Sequence, residues 1–168
     1  RIVLAFSPPG VVTFDPTGKW AAAYDQDQQQ MQLYNLPSLT PTLLPATMMP
    51  IGSPVWARRS ARFAIPVSDS VDPSRIKIAL IEPPAGISMS QSLNLPTDKT
   101  KLVQVQWSAG ENYLTYRALP GTALSAALPL NLVNTRSQTL SQFREQDVQL
   151  RVVDWSSDDV YALVSEAS

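Results

Sequence analysis

The 168-residue chain has no cysteine and no histidine. Without cysteine there are no disulfides, no thiol nucleophiles and no thiolate metal sites. Without either residue, Ser/His/Asp and Cys/His nucleophilic sets are excluded within these residues. No Gly-x-Ser-x-Gly nucleophile elbow occurs. An excess of one charge is also missing: Lys+Arg number 13 against Asp+Glu 14, with no basic run. The phosphate-neutralising surface that nucleic acid binding requires is therefore absent, and no nucleic acid partner is expected. No apolar run approaches the ~20 residues that cross a bilayer as a helix. Lysine is scarce beside glutamine, serine, threonine and proline, a balance associated with proteins outside the bacterial cytoplasm. The chain opens on Arg1 rather than methionine, and a removed signal peptide is one of several readings of that start.

What is present belongs to one globular domain: 44% of residues are hydrophobic and 16% charged. Fifteen prolines block helix interiors and central strands, so they must fall in turns, edges and connections between many short elements.

The chain is organised around Val105 to Arg117, VQWSAGENYLTYR. Trp107 is followed six residues later by Tyr113, across a short polar turn. The same step joins Phe14 to Trp20 through Asp15-Pro16-Thr17-Gly18-Lys19, and Trp155 to Tyr161 through Ser156-Ser157-Asp158-Asp159-Val160. Trp56 to Phe63 is one residue longer. The lead aromatics Phe14, Trp56, Trp107 and Trp155 are spaced by 42, 51 and 48 residues. A repeat of about 40 to 50 residues, each a four-stranded antiparallel meander, is the signature of a β-propeller. The fold class expected is all-β, a propeller-type array of about three and a half blades, with repeats starting near residues 11, 53, 102 and 150.

In chain order, Arg1 to Phe6 reads as a strand with no partner before it. Val11 to Phe14 and Trp20 to Tyr24 form a hairpin around a turn with proline and glycine where such turns want them. Asp25 to Gln30 is the polar tip of a second hairpin, returning through Met31 to Asn35. Leu36 to Gly52, with four prolines, holds an irregular edge strand or linker. Pro66 demotes the strand Phe63 to Val67 or forces a bulge. Ser68 to Ser74 makes the next turn before the strand Arg75 to Ile81, and Ile87 to Leu95 is read as the fourth strand of that repeat. Leu124 to Leu132 reads as a strand pair or a helical turn, and Ser137 to Glu145 as an outer strand or loop. Val148 to Trp155 and Val160 to Val164 begin a fourth unit that ends two strands short.

The motif apolar-x-Trp-Ser-x-Asp/Gly-x-x-Tyr-apolar resembles the blade signature of TolB-type propellers, relatives of the WD-repeat proteins. Trp107 to Gly110 and Trp155 to Asp158 carry the resemblance best, Phe14 to Gly18 carries it with phenylalanine leading, and the turn of Trp56 to Arg59 departs from it. The resemblance implies lead aromatics packed between blades. It is specific for the fold and almost silent on activity, because propellers host binding, scaffolding and catalysis alike; the usual role in these families is a rigid platform for a protein or peptide partner, so a non-catalytic module is expected. Similar propellers gate prolyl-oligopeptidase-type hydrolases, whose catalytic domain would lie outside these residues. The four tryptophans suggest a ligand- or sugar-binding propeller as a further alternative. Three and a half blades do not close a ring, so remaining blades are expected from the same or another chain.

Candidate site residues are few. Arg58, Arg59 and Arg62 form the one basic cluster, either a solvated hairpin or a contact for an acidic partner. Asp25 and Asp27 resemble the start of a calcium loop but lack its glycine and terminal glutamate, so a hairpin tip is the simpler reading. Asp158 with Asp159, or Glu145 with Asp147, could be proposed for acid–base work but read as solvated turn formers. No catalytic residue, metal site or cofactor is expected.

Overall fold

A computed structural model describes residues 12–25, 30–45, 48–68, 71–72, 75–84, 86–89, 93–96, 100–120, 129–143 and 150–166. The described elements are all strands. The first sheet runs β1 (Val12–Phe14), β2 (Trp20–Asp25), β3 (Gln30–Asn35) and β4 (Thr40–Leu43), each antiparallel to its neighbour. The second contains β5 (Val55–Trp56), β6 (Phe63–Ser68), β7 (Arg75–Glu82) and β8 (Gly86–Met89), with β9 (Leu93–Pro96) also pairing β7. The third is β10 (Thr100–Trp107), β11 (Tyr113–Pro120), β12 (Leu130–Asn134) and β13 (Leu140–Phe143). A two-stranded sheet, β14 (Leu150–Trp155) and β15 (Ala162–Glu166), ends the series.

Two expectations are refined. The stretch Ile87 to Leu95, read as one strand, is two short strands that both pair with β7. Leu140–Phe143 is a strand at the outer edge of its sheet. The strand expected over Arg1 to Phe6 lies outside the described residues.

Pro66 sits inside β6, opposite Ile78 of β7. Its carbonyl accepts from Ile51 N at 2.9 Å, and two residues on, Ser68 N donates to Met49 O at 2.9 Å. The missing N–H of Pro66 thus faces the side where β5 has already ended, so no ladder bond to β7 is lost.

The alternation along β7 explains how the sheets stack. Ile76, Ile78 and Leu80 point to one face and pack with Trp107, Leu114, Tyr116 and Val133 of the third sheet. Ala79 and Ile81 point to the other and pack with Ala22, Met31 and Leu33 of the first. The second sheet is covered on both faces, which is why Phe63 to Val67 reads as an unbroken apolar run rather than an alternating one. Each large side chain fully buried in these two layers, such as Phe63, Ile65 or Leu114, contributes about 1.5–3 kcal/mol.

Candidate functional site

The first hairpin turn of each sheet is the feature that recurs, and its geometry follows from the sequence motif. Counting from the lead aromatic, the second residue donates its N–H to the carbonyl of the seventh: Asp15 to Trp20 at 3.0 Å, Ser108 to Tyr113 at 2.9 Å, Ser156 to Tyr161 at 2.9 Å. The fifth residue closes a tight turn back to the second, as Gly18, Glu111 and Asp159 do. That fifth position is left-handed in all three, with φ of 71°, 63° and 61°. The second side chain then caps the seventh N–H, through Asp15 Oδ2 at 2.5 Å, Ser108 Oγ at 3.0 Å and Ser156 Oγ at 2.9 Å.

A left-handed residue other than glycine costs roughly 1 kcal/mol, and at Glu111 and Asp159 the carboxylate makes a compensating set of bonds. Asp159 accepts from Ser108 Oγ at 2.8 Å, Gly110 N at 2.6 Å, and Asn112 N and Nδ2 both at 3.0 Å, all on the turn of the third sheet. Glu111 does the same one sheet earlier. It accepts from the Arg59 N–H, from Ser60 N at 3.1 Å, from Ser60 Oγ at 2.6 Å and from Arg62 Nη2 at 3.3 Å. The second and third turns are thus each fastened by an acid from the turn that follows. The first turn is instead capped from within, Asp15 accepting from Thr17, Lys19 and Trp20.

Burial alone would raise both latch carboxyls. The hydrogen bonds outweigh it, helped at Glu111 by the charge of Arg62, and both groups lie below their ordinary values of 3.8 and 4.5. Reading Asp158 and Asp159 together as solvated turn formers therefore fails for Asp159, which is buried. Asp158 is exposed and accepts from Ser156 Oγ and Val160 N within its own turn.

The basic cluster divides. Arg62 lies 5.4 Å from the Trp107 ring centroid, over its face, and bonds Glu111, so it is an element of the joint between sheets and not a solvated charge. Arg58 and Arg59 are exposed, on a turn held by Glu111 through the Arg59 and Ser60 amides. Asp25 ends β2 and lies at the opposite rim from these turns, since β2 starts at Trp20 beside the first turn. Asp27 lies outside the described residues, as do parts of the loop 68–74. The structure does not bring Asp25 and the arginines together. Among the described residues, no group of three or more acidic side chains is placed to hold a metal ion.

The lead aromatics reach back to the preceding sheet. Trp56 Nε1 donates to Thr13 Oγ1 at 2.9 Å and Trp107 Nε1 to Val55 O at 2.8 Å. Trp155 instead stacks on Tyr113, ring centroids 6.0 Å apart and planes 2° from parallel, and its buried Nε1 has no hydrogen-bond partner. Between the third sheet and β14–β15 lies a cleft of about 710 Å³, lined mainly by apolar side chains including Leu130, Leu132, Phe143, Val152, Trp155 and Val164. Arg117 and Arg151 together line a separate, smaller cleft, and burial, with the like charge of Arg151, lowers the Arg117 pKa.

Sequence reasoning missed a second repeated turn. Asn35 to Thr40 and Asn134 to Thr139 share the pattern Asn-x-x-Ser-x-Thr. In both, the asparagine carboxamide caps the following amides, the serine and threonine hydroxyls meet, and the fifth residue is left-handed, Leu39 and Gln138 each with φ of 56°.

No family model and no curated protein matches the chain. Solved structures do. A protein assigned as TolB from Agrobacterium tumefaciens is 13% identical with a TM-score of 0.56 over 94% of this chain and 53% of its own. An acylaminoacyl peptidase from Pyrococcus horikoshii is 14% identical, TM-score 0.56, over 87% of this chain and 26% of its own. The β-propeller domain of the Trilobed protease from Pyrococcus furiosus, described as having an open velcro topology, is 10% identical, TM-score 0.55, over 88% and 46%. The chain spans about half or less of each of these proteins. Its fold is a partial, TolB-like β-propeller, in which the sheets are blades and the lead tryptophans Trp56, Trp107 and Trp155 each engage the preceding blade.

Proposed function

We propose that this propeller module is a non-catalytic scaffold that binds an acidic segment of a protein or peptide at the turn of its second blade. One observation carries the reading: Glu111 fixes the backbone of the Arg58–Arg62 turn and takes up Arg62, while Arg58 and Arg59 stay exposed on the fixed turn. Exposed guanidiniums on a pre-set backbone lose little ordering entropy when they meet carboxylates.

The test uses fluorescence anisotropy with a labelled acidic peptide and a neutral peptide of equal length. Saturable binding of the acidic peptide, weakened by salt and lost in an Arg58→Glu/Arg59→Glu double variant, is expected. Equal binding of the two peptides, or indifference to the double variant, would sink the reading.

A second reading rests on the match to the two Pyrococcus proteins, a peptidase and a protease propeller domain. In it the blades gate a hydrolase whose nucleophile lies elsewhere in the same polypeptide, and a Gly-x-Ser-x-Gly segment there decides for it. The sugar-binding alternative loses its motive, because Trp56, Trp107 and Trp155 are engaged by neighbouring blades.

A further inference from the structure

We propose that the joint between the third and fourth blades holds a small monatomic anion of the chloride class, clasped by Arg117 and Arg151. Strand alternation places the first of the two. Leu114 and Tyr116 of β11 pack toward the second blade, so Arg117, next in the strand, takes the face toward the fourth. It stands opposite Gln104 of β10, and its Nε donates to Gln104 Oε1 at 2.9 Å. Its Nη1 is buried and has no hydrogen-bond partner. Arg151 comes from β14, the first strand of the fourth blade, and its Nε donates to Ser165 Oγ at 3.2 Å. Each guanidinium is thus oriented through one nitrogen by a neutral partner inside its own blade. Neither is in an ion pair among the described residues.

A buried guanidinium N–H without an acceptor costs more than the bond it forgoes, and a second guanidinium nearby adds repulsion. The cleft that the two arginines share is otherwise lined by neutral side chains, Gln104, Gln106, Thr115 and Val152 among them. Glu166, which pairs Leu150 beside Arg151, is exposed and forms no ion pair with it. An anion between the two forks answers both costs at once. It accepts from the buried Nη1 and neutralises the pair, while each fork spares one N–H for its positioning bond.

Size narrows the ligand. The cleft measures about 10 Å³, room for about one water-sized particle. That selects a monatomic ion over phosphate, sulfate or a peptide carboxylate, each of which brings further atoms. A water molecule would satisfy Nη1 but leave the two charges facing one another. Because the two ligands come from different blades, the ion tightens the joint when it binds. The proposal is independent of the acidic-partner reading, which concerns Arg58 and Arg59 on the second blade.

Thermal melts of the full 168-residue chain in mixtures of sodium gluconate and sodium chloride test it, at a constant ionic strength that removes general screening. The midpoint should rise saturably, by about 3 °C when chloride reaches ten times its dissociation constant, and bromide should act as chloride does. Arg117→Met removes both the buried donor and the repulsion, so it should melt at or above the parent in gluconate and gain nothing from chloride. Arg151→Met, at an exposed position, should also abolish the gain, and it decides the matter if the Arg117 variant folds poorly. The Arg58→Glu/Arg59→Glu chain should keep the gain. A chloride response that persists in the methionine variants would overturn the proposal, as would a parent midpoint indifferent to the anion.

Discussion

Asp159 and Gly110 belong to successive blades, 49 residues apart in sequence, yet the Asp159 Oδ1 accepts the Gly110 N–H at 2.6 Å. No side chain fits between them. Gly110 does not have a left-handed φ, so its role is close approach rather than conformational freedom. Gly110→Ala should push the carboxylate out of the third turn and destabilise the chain by about 2 kcal/mol, the scale of lost hydrogen bonds to a charged group. Thermal unfolding followed by circular dichroism measures this. In an Asp159→Ala background the same substitution should cost much less, and equal costs in both backgrounds would contradict the assignment.

The two latch acids give the fold a defined response to acid. Both carboxyls hold their protons more weakly folded than unfolded, so their contribution is complete above the ordinary carboxylate values and disappears as pH falls through the lowered folded ones. Denaturant melts from pH 7 downward should show constant stability at first and a fall once the solution is more acidic than those ordinary values. Glu111→Gln and Asp159→Asn should be less stable at pH 7, with the gap to the parent chain closing at low pH. A gap that stays constant across the series would rule out linkage through these groups.

Trp107 and Trp155 hold the same motif position but differ in what their indole nitrogens meet. Trp107→Phe leaves Val55 O without its donor and should cost about 1–2 kcal/mol beyond the lost ring area. Trp155→Phe removes a buried donor that has no acceptor, so its polar component should be near zero or favourable. Chemical denaturation of the two variants side by side gives the comparison, and equal losses would refute it.

Leu39 is held at φ 56° on an exposed turn, where a branched side chain works against the backbone. Leu39→Gly or Leu39→Asn should raise stability by about 0.5–1 kcal/mol. A lower melting temperature in both variants would show that the side chain makes contacts outweighing the strain.

Much of the architecture was legible because hairpin turns need particular residues at particular steps. The six-residue interval from Trp107 to Tyr113 recurs at Phe14 and Trp155 since each turn uses the same hydrogen-bond closure. Engagement of the lead tryptophans with neighbouring blades follows from sheets whose two apolar faces only neighbours can cover. The latches were not legible. Glu111 and Asp159 look like ordinary turn acids because the groups they bind lie 47 to 52 residues back in the chain, and spacing within one turn says nothing about the next. For the same reason Arg58, Arg59 and Arg62 read as one cluster, although Glu111 and Trp107 claim only the third side chain. The Asn-x-x-Ser-x-Thr turns carried a usable signal, masked by Pro37 in one copy and Arg136 in the other.

The left-handed fifth position has a consequence for how such chains can change. An acid at that position is useful only if the blade before it offers room and donors, as Gly110 and Asn112 do for Asp159. The heritable cassette is therefore not a blade but a junction, straddling the boundary between two. Duplicating, deleting or permuting whole blades would present a carboxylate to a different socket, and such a change keeps the latch only where the new preceding turn offers the same room and donors.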